Sequence, residues 1–177
     1  YHTQNTAPVT HTISNRLRRR NSLLFPNEYN QRIMKKEKTI RSVWHPEQKL
    51  LETQLSGDID LRDVEEWEAS LLHAFGQLEA NSVFKIFINL LGFKAVDIQA
   101  HKRYREIIPL LLADYGWRVG YVDLFEEAAS MQFQRLRGIQ CIGAAHAHQD
   151  ATKIEKYESM FARDNERFFT DPEEAKA

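Results

Sequence analysis

Apolar and polar positions show no sustained period over residues 1–33 and become regular from Thr39 onward. "TIRSVWHPEQKLLETQLSGDI" reads as two strands around a Pro-Glu-Gln-Lys turn, with Leu51, Thr53 and Leu55 alternating toward one face. "DLRDVEEWEASLLHAFGQLE" places Val64, Trp67, Leu71, Phe75 and Leu78 at helical spacing, with Asp60 positioned as its cap. "VFKIFINL" is nearly continuously apolar, as expected of a strand buried on both faces. The next helix carries Ile98, Tyr104, Ile107, Ile108, Leu111, Leu112 and Tyr115 on one stripe, and Gly116 stands just past its end.

Further on, "RVGYVDL" predicts a short strand and "FEEAASMQFQRLRG" a helix with Phe125, Ala129, Phe133 and Leu136 inward. "IQCIGAA" predicts another strand. A helix from about Ala151 turns Ile154, Tyr157 and Phe161 inward, and Asp171-Pro172 starts one more. The order is β-β-α-β-α-β-α-β-α. It predicts an α/β fold with a mixed, mostly parallel sheet of four to five strands and helices packed against it.

Composition narrows the class without changing this picture. The 177 residues are 42% apolar and 28% charged, within the range of globular domains. No apolar run approaches the roughly 20 residues of a membrane helix. The one cysteine, Cys141, excludes an internal disulfide and reads as a small apolar residue in mid-strand. A cytoplasmic protein is expected. Charge is split: residues 1–40 hold eight Lys or Arg against two acids, and the rest hold 16 against 23. Residues 1–38 therefore form a basic arm, and 39–177 an acidic domain. Met34 opens "MKKEKTIRSVW" like a bacterial start, so residues 1–33 are expected to be a disordered or non-native extension.

The stretches "LSGDIDLRDVEEWE", "HKRYREIIPLLLADYGWRVGYVDLF" and "NERFFTDPEEAKA" carry a resemblance. Residues 40–177 resemble the STAS domain superfamily, and most closely its stand-alone SpoIIAA-like bacterial members. The resemblance implies a single STAS-like domain that binds or regulates without catalysis, and members of the group usually continue for a few residues beyond "EEAKA". In phosphorylatable STAS proteins the loop after the central strand reads roughly Gly-x-x-x-x-Asp-Ser-Ser-Gly, and the serine after the aspartate takes a phosphate. Gly92 and Asp97 match that spacing, but Ile98, Gln99 and Ala100 occupy the last three places. Ile98 has no hydroxyl, so the phosphate switch does not carry over.

Several side chains could carry chemistry. Asp97 precedes a helix and suits a cap, and the loop from Gly92 to Asp97 could also contact a partner. "HKRYR" gathers His101, Lys102, Arg103 and Arg105 within about a turn, which attracts anions or simply forms a solvated face. In "HAHQD", His146 and His148 lie two apart and share one side of an extended segment, with Asp150 close behind. Imidazole and carboxylate suit zinc or another transition metal. The run is similar to the H-x-H-x-D of metallo-β-lactamase-like hydrolases, without the histidine that follows there. The alternative is that Asp150 caps the last long helix. Both loops follow parallel strands, so His101, His146 and His148 are expected at one sheet edge.

The expectation is a non-enzymatic binding module acting on a protein partner or on a small apolar or anionic ligand. Its candidate contacts are Asp97, Ile98, His101, Arg103, His146 and His148. No cofactor, catalytic residue or membrane partner is expected, and a homodimer is compatible with the pattern. A metal-dependent enzyme using His146, His148 and Asp150 is the alternative. Nucleic acid enters only if the basic arm is native.

Overall fold

A ten-residue strand organises the sheet. The computed structural model describes residues 37–124 and 126–176, without the Glu127 side chain. The expectations for residues 1–33 and for Phe125 lie outside the described residues. Strand β1 (Thr39–His45) runs antiparallel to β2 (Leu50–Ile59), in register from Thr39↔Ser56 to His45↔Leu50. The turn between them is a short 3-10 segment, Pro46–Gln48, closed by Lys49 at φ 50°. The first half of β2 pairs in parallel with β3 (Val83–Asn89), and its end pairs with the short β4 (Phe93–Ala95). Strand β5 (Gln140–Ala147) lies parallel beside β3, and β6 (Glu166–Phe169) parallel beside β5. The order is β1-β2-β3-β5-β6 with β4 off the path, so the sheet is mixed and mostly parallel.

Helix α1 (Leu61–Gly76) begins in a reciprocal capping box. Asp60 accepts from the Asp63 N–H, and the Asp63 carboxylate accepts from the Asp60 N–H. Its buried stripe is Val64, Trp67, Leu71, Ala74 and Phe75, set against Leu51 and Leu55 of β2. Thr53 is fully buried on the same face and does not stay unpaired. Its hydroxyl accepts from the Trp67 indole N–H at 2.7 Å and lies 2.8 Å from the Ser42 hydroxyl. Helix α2 (Ile98–Ala113) buries Tyr104, Ile107, Ile108 and Leu112, while Ile98 is 74% exposed and off the expected stripe. Ile98 is the first residue of the helix, ahead of the turn that reaches the core. Gly116 adopts φ 73°, as expected just past the helix.

Helix α3 (Ala151–Phe161) packs on β6, and the short α4 (Pro172–Lys176) lies against β3, β5 and β6. The Lys176 ammonium meets Glu52 at 3.2 Å and the Phe87 ring at 5.7 Å, both opposite the Thr53 face. Helices therefore cover both sides of the sheet.

Two expected elements are corrected. Residues 118–124 form no strand, and 126–138 form no α-helix; short 3-10 turns at Val122–Leu124, Glu126–Ser130 and Leu136–Gly138 replace them. β3 has β2 and β5 beside it and β5 has β6 on its other side, so no place inside the sheet remains for a strand there. Trp117, Val119 and Val122 still bury their side chains. The backbone of 134–136 is taken up by tertiary bonds, with Gln134 N–H donating to Ala113 O and Leu136 N–H to Asp114 O. Phe133 and Leu136 consequently face solvent, as does Ala129. Strand β6, a segment for which the pattern predicts no element, supplies the missing strand. The expected string of elements thus reappears, apart from β4, with different residues filling its second half.

Candidate functional site

Parallel pairing aligns Thr53, Ile88, His146 and Phe168 across four strands, all on the face that carries α1 and α2. Near the C-terminal ends of β3 and β5, α2 and α3 stand over this row and leave a cavity of about 180 Å³. Such strand ends are where open α/β sheets generally place ligands.

Its floor and walls are apolar and aromatic: Ile88, Ile108, Ile154, Trp67, Tyr104, Tyr121, Tyr157 and Phe168. The rings meet mainly edge to face. Tyr157 and Phe168 lie 5.6 Å apart at 86°, and Tyr121 and Phe168 6.2 Å apart at 64°. Desolvation by burial pushes the Tyr104 hydroxyl up to about 12 and Tyr121 well above the ordinary phenol value, so these rings stay neutral.

The rim is basic, with Arg105 and Lys153 as its cations and two imidazoles beside them. His101 and Arg105 come from α2, His148 follows β5, and Lys153 comes from α3. Burial and then the neighbouring Arg105 and Lys153 lower the His101 pKa, while burial and Lys153 lower that of His148. Lys153 is itself lowered, by burial first and also by Arg105. Among the described residues that line the cavity, none is acidic.

In the floor itself, His146 is buried and stacks on Phe168, with ring centroids 4.7 Å apart. Its Nε2 lies 3.2 Å from Glu166 Oε1. Glu166, fully buried, also accepts from the Gly120 N–H at 2.9 Å and from the Arg163 guanidinium. Burial raises its pKa, but the bonds from His146 and Arg163 outweigh that and hold it below the ordinary carboxylate value. Gly120 permits the approach: a Cβ there would meet Phe161 O at 2.6 Å.

The structure brings His101, His146 and His148 to one cavity, and sends the other candidates elsewhere. Asp97 accepts from the Ala100 N–H at the start of α2, outside the cavity, and Ile98 points to solvent. Arg103 pairs with Glu68 and Glu106. Asp150 accepts from the Lys153 N–H, capping α3, and its own N–H donates to His148 Nδ1 at 3.0 Å. The proposed metal set is therefore not assembled, since His146 serves Glu166 and Asp150 serves a helix end. Among the described residues no group of three or more His, Cys, Asp or Glu is placed to hold a metal ion. Cys141 is buried, and burial lifts its thiol to about 12.

Lys153, Tyr121, Tyr157, Phe168, Glu166 and Gln149 were not singled out in the sequence as site residues. Gln149 ties the two strand-end loops together, accepting from the Gly92 N–H and donating to Phe93 O. A usable signal was the apolar stripe of α3, which places Ile154 and Tyr157 beside Lys153. Compared with family models, curated proteins and solved structures, the chain matches none. No helix among the described residues is long and apolar enough to cross a membrane.

Proposed function

We propose that this chain is a non-enzymatic, STAS-like binding module whose ligand is a small organic anion with an apolar body. The observation that carries this is the cavity at the strand ends, which joins an aromatic floor to a rim bearing Arg105 and Lys153. Apolar walls with a few convergent polar groups are the usual make-up of a small-molecule site. The STAS-like part of the reading is supported by the element order and by the antiparallel first strand on a parallel sheet. The loop lacks a phosphate acceptor after Asp97, so regulation would come from ligand occupancy.

Thermal unfolding with matched pairs of ligands tests the reading. Small apolar carboxylates should raise the Tm in a dose-dependent way, and their neutral amides should do so far less. Equal shifts from acid and amide would remove the anionic part, and no shift from either would remove the site.

A second reading has its own observation. Leu91, Val96 and Ile98 are all exposed around the Gly92–Asp97 loop, and apolar side chains exposed so near one another in the chain suit a protein partner. An Ile98→Asp change should then weaken capture of that partner while leaving the Tm and carboxylate binding as they were.

A further inference from the structure

Granting that this cavity takes a small apolar anion, we infer that its ligand is a single-ring aromatic monocarboxylate, the ring held among Tyr104, Tyr121, Tyr157 and Phe168 and the carboxylate at Arg105 and Lys153. Volume sets the size. Engineered apolar cavities of about 150 Å³ take up benzene, so about 180 Å³ suits one ring with its carboxylate at the mouth. A fused bicycle or a long acyl chain would overfill it.

Wall chemistry selects the ring. The aromatic side chains already meet one another edge to face, with Tyr157 at 86° to Phe168 and Tyr121 at 76° to His146. A planar guest can extend that pattern, presenting edges to their faces, whereas a saturated ring of like size has only dispersion to offer. Position of the charge follows from Lys153, whose ammonium lies 5.6 Å from the Tyr157 ring centroid and so joins rim to wall. Arg105, also on the rim, adds a guanidinium, whose planar fork matches a carboxylate. The helix end of α3 is not a competing anion site, because Asp150 already occupies its first turn. A dianion is disfavoured, since the apolar walls make its second charge costly to desolvate.

Calorimetric titration of the full chain decides the matter, using benzoate, cyclohexanecarboxylate, 2-naphthoate and palmitate. Benzoate should bind one to one, and cyclohexanecarboxylate, though more apolar, about three- to tenfold more weakly. Naphthoate and palmitate should bind more weakly still. Tyr157→Leu should narrow the preference for benzoate over the saturated acid, and Lys153→Met should weaken both acids alike; circular dichroism checks that each variant is folded. If cyclohexanecarboxylate, naphthoate or palmitate binds as tightly as benzoate, the single-ring inference fails while the apolar-anion reading stands. If no carboxylate binds, both fall.

Discussion

Glu166 is the residue on which the underside of the site depends. It has no exposed surface, and its oxygens are shared among His146, Arg163 and the Gly120 N–H. Removing its charge with Glu166→Gln leaves Arg163 without its buried partner. Broken buried pairs cost about 3–5 kcal/mol, and half-exposed Arg163 places this one near the lower end. Urea unfolding should show it. Gly120→Ala should cost about 1–3 kcal/mol, because the new methyl meets a backbone carbonyl that cannot step aside. An unchanged urea midpoint would mean that the backbone gives way.

The pH profile follows from the same residues. His148 and His101 have folded pKa values below the ordinary 6.5, so the unfolded chain binds their protons more readily. Their contribution is full above 6.5 and declines as pH falls through that value. His148 dominates, since His101 sits at the exposed mouth. Glu166 contributes stability above its unfolded value of 4.5 and loses it as pH falls through its lowered folded value. Stability measured by denaturant should therefore be level near neutrality and fall in two stages on acidification. Glu166→Gln should shrink the second stage without abolishing it, because Asp63, also held below its ordinary value, loses its share over the same acid range.

At the scale of elements, caps and stripes were readable where the contacts are local. Asp60, Asp97 and Asp150 each cap the helix that follows, as their place before an apolar stripe implies. Asp60→Ala should cost about 1 kcal/mol, read as a lower Tm, and a neutral result would show that Asp63 alone holds the turn. Residues 118–138 were misread for a different reason. Their charge order suits a helix dipole, but long-range bonds claim their backbone. The Arg137 guanidinium donates to Phe75 O and Leu78 O, closing the end of α1, and Arg137 itself sits at φ 53°. No local pattern announces a partner some sixty residues away. Strand β6 escaped for a related reason: four residues, two of them charged, give too short an alternation to stand out.

Across the whole molecule, β3 lies between two parallel neighbours, while β1 and β6 form the edges. Amides of Ile86 to Ile88 should exchange with solvent only on global unfolding, and those of β6 earlier. Hydrogen exchange that protects β6 more than β3 would contradict this arrangement. The sequence by itself determined the α/β class, the hairpin, the first two helices and the caps, because these follow from period and from contacts within a few residues. It also gathered three histidines at one sheet edge, since the ends of parallel strands and the helices after them lie on the same side, although His146 falls in β5 itself and not in the loop. Only the tertiary structure decided which strand fills the last place in the sheet and that His146 serves Glu166. It alone converged the rim cations of α2 and α3 over a ring-lined cavity. Those outcomes depend on register and on helix placement between segments distant in the chain, which no local periodicity encodes.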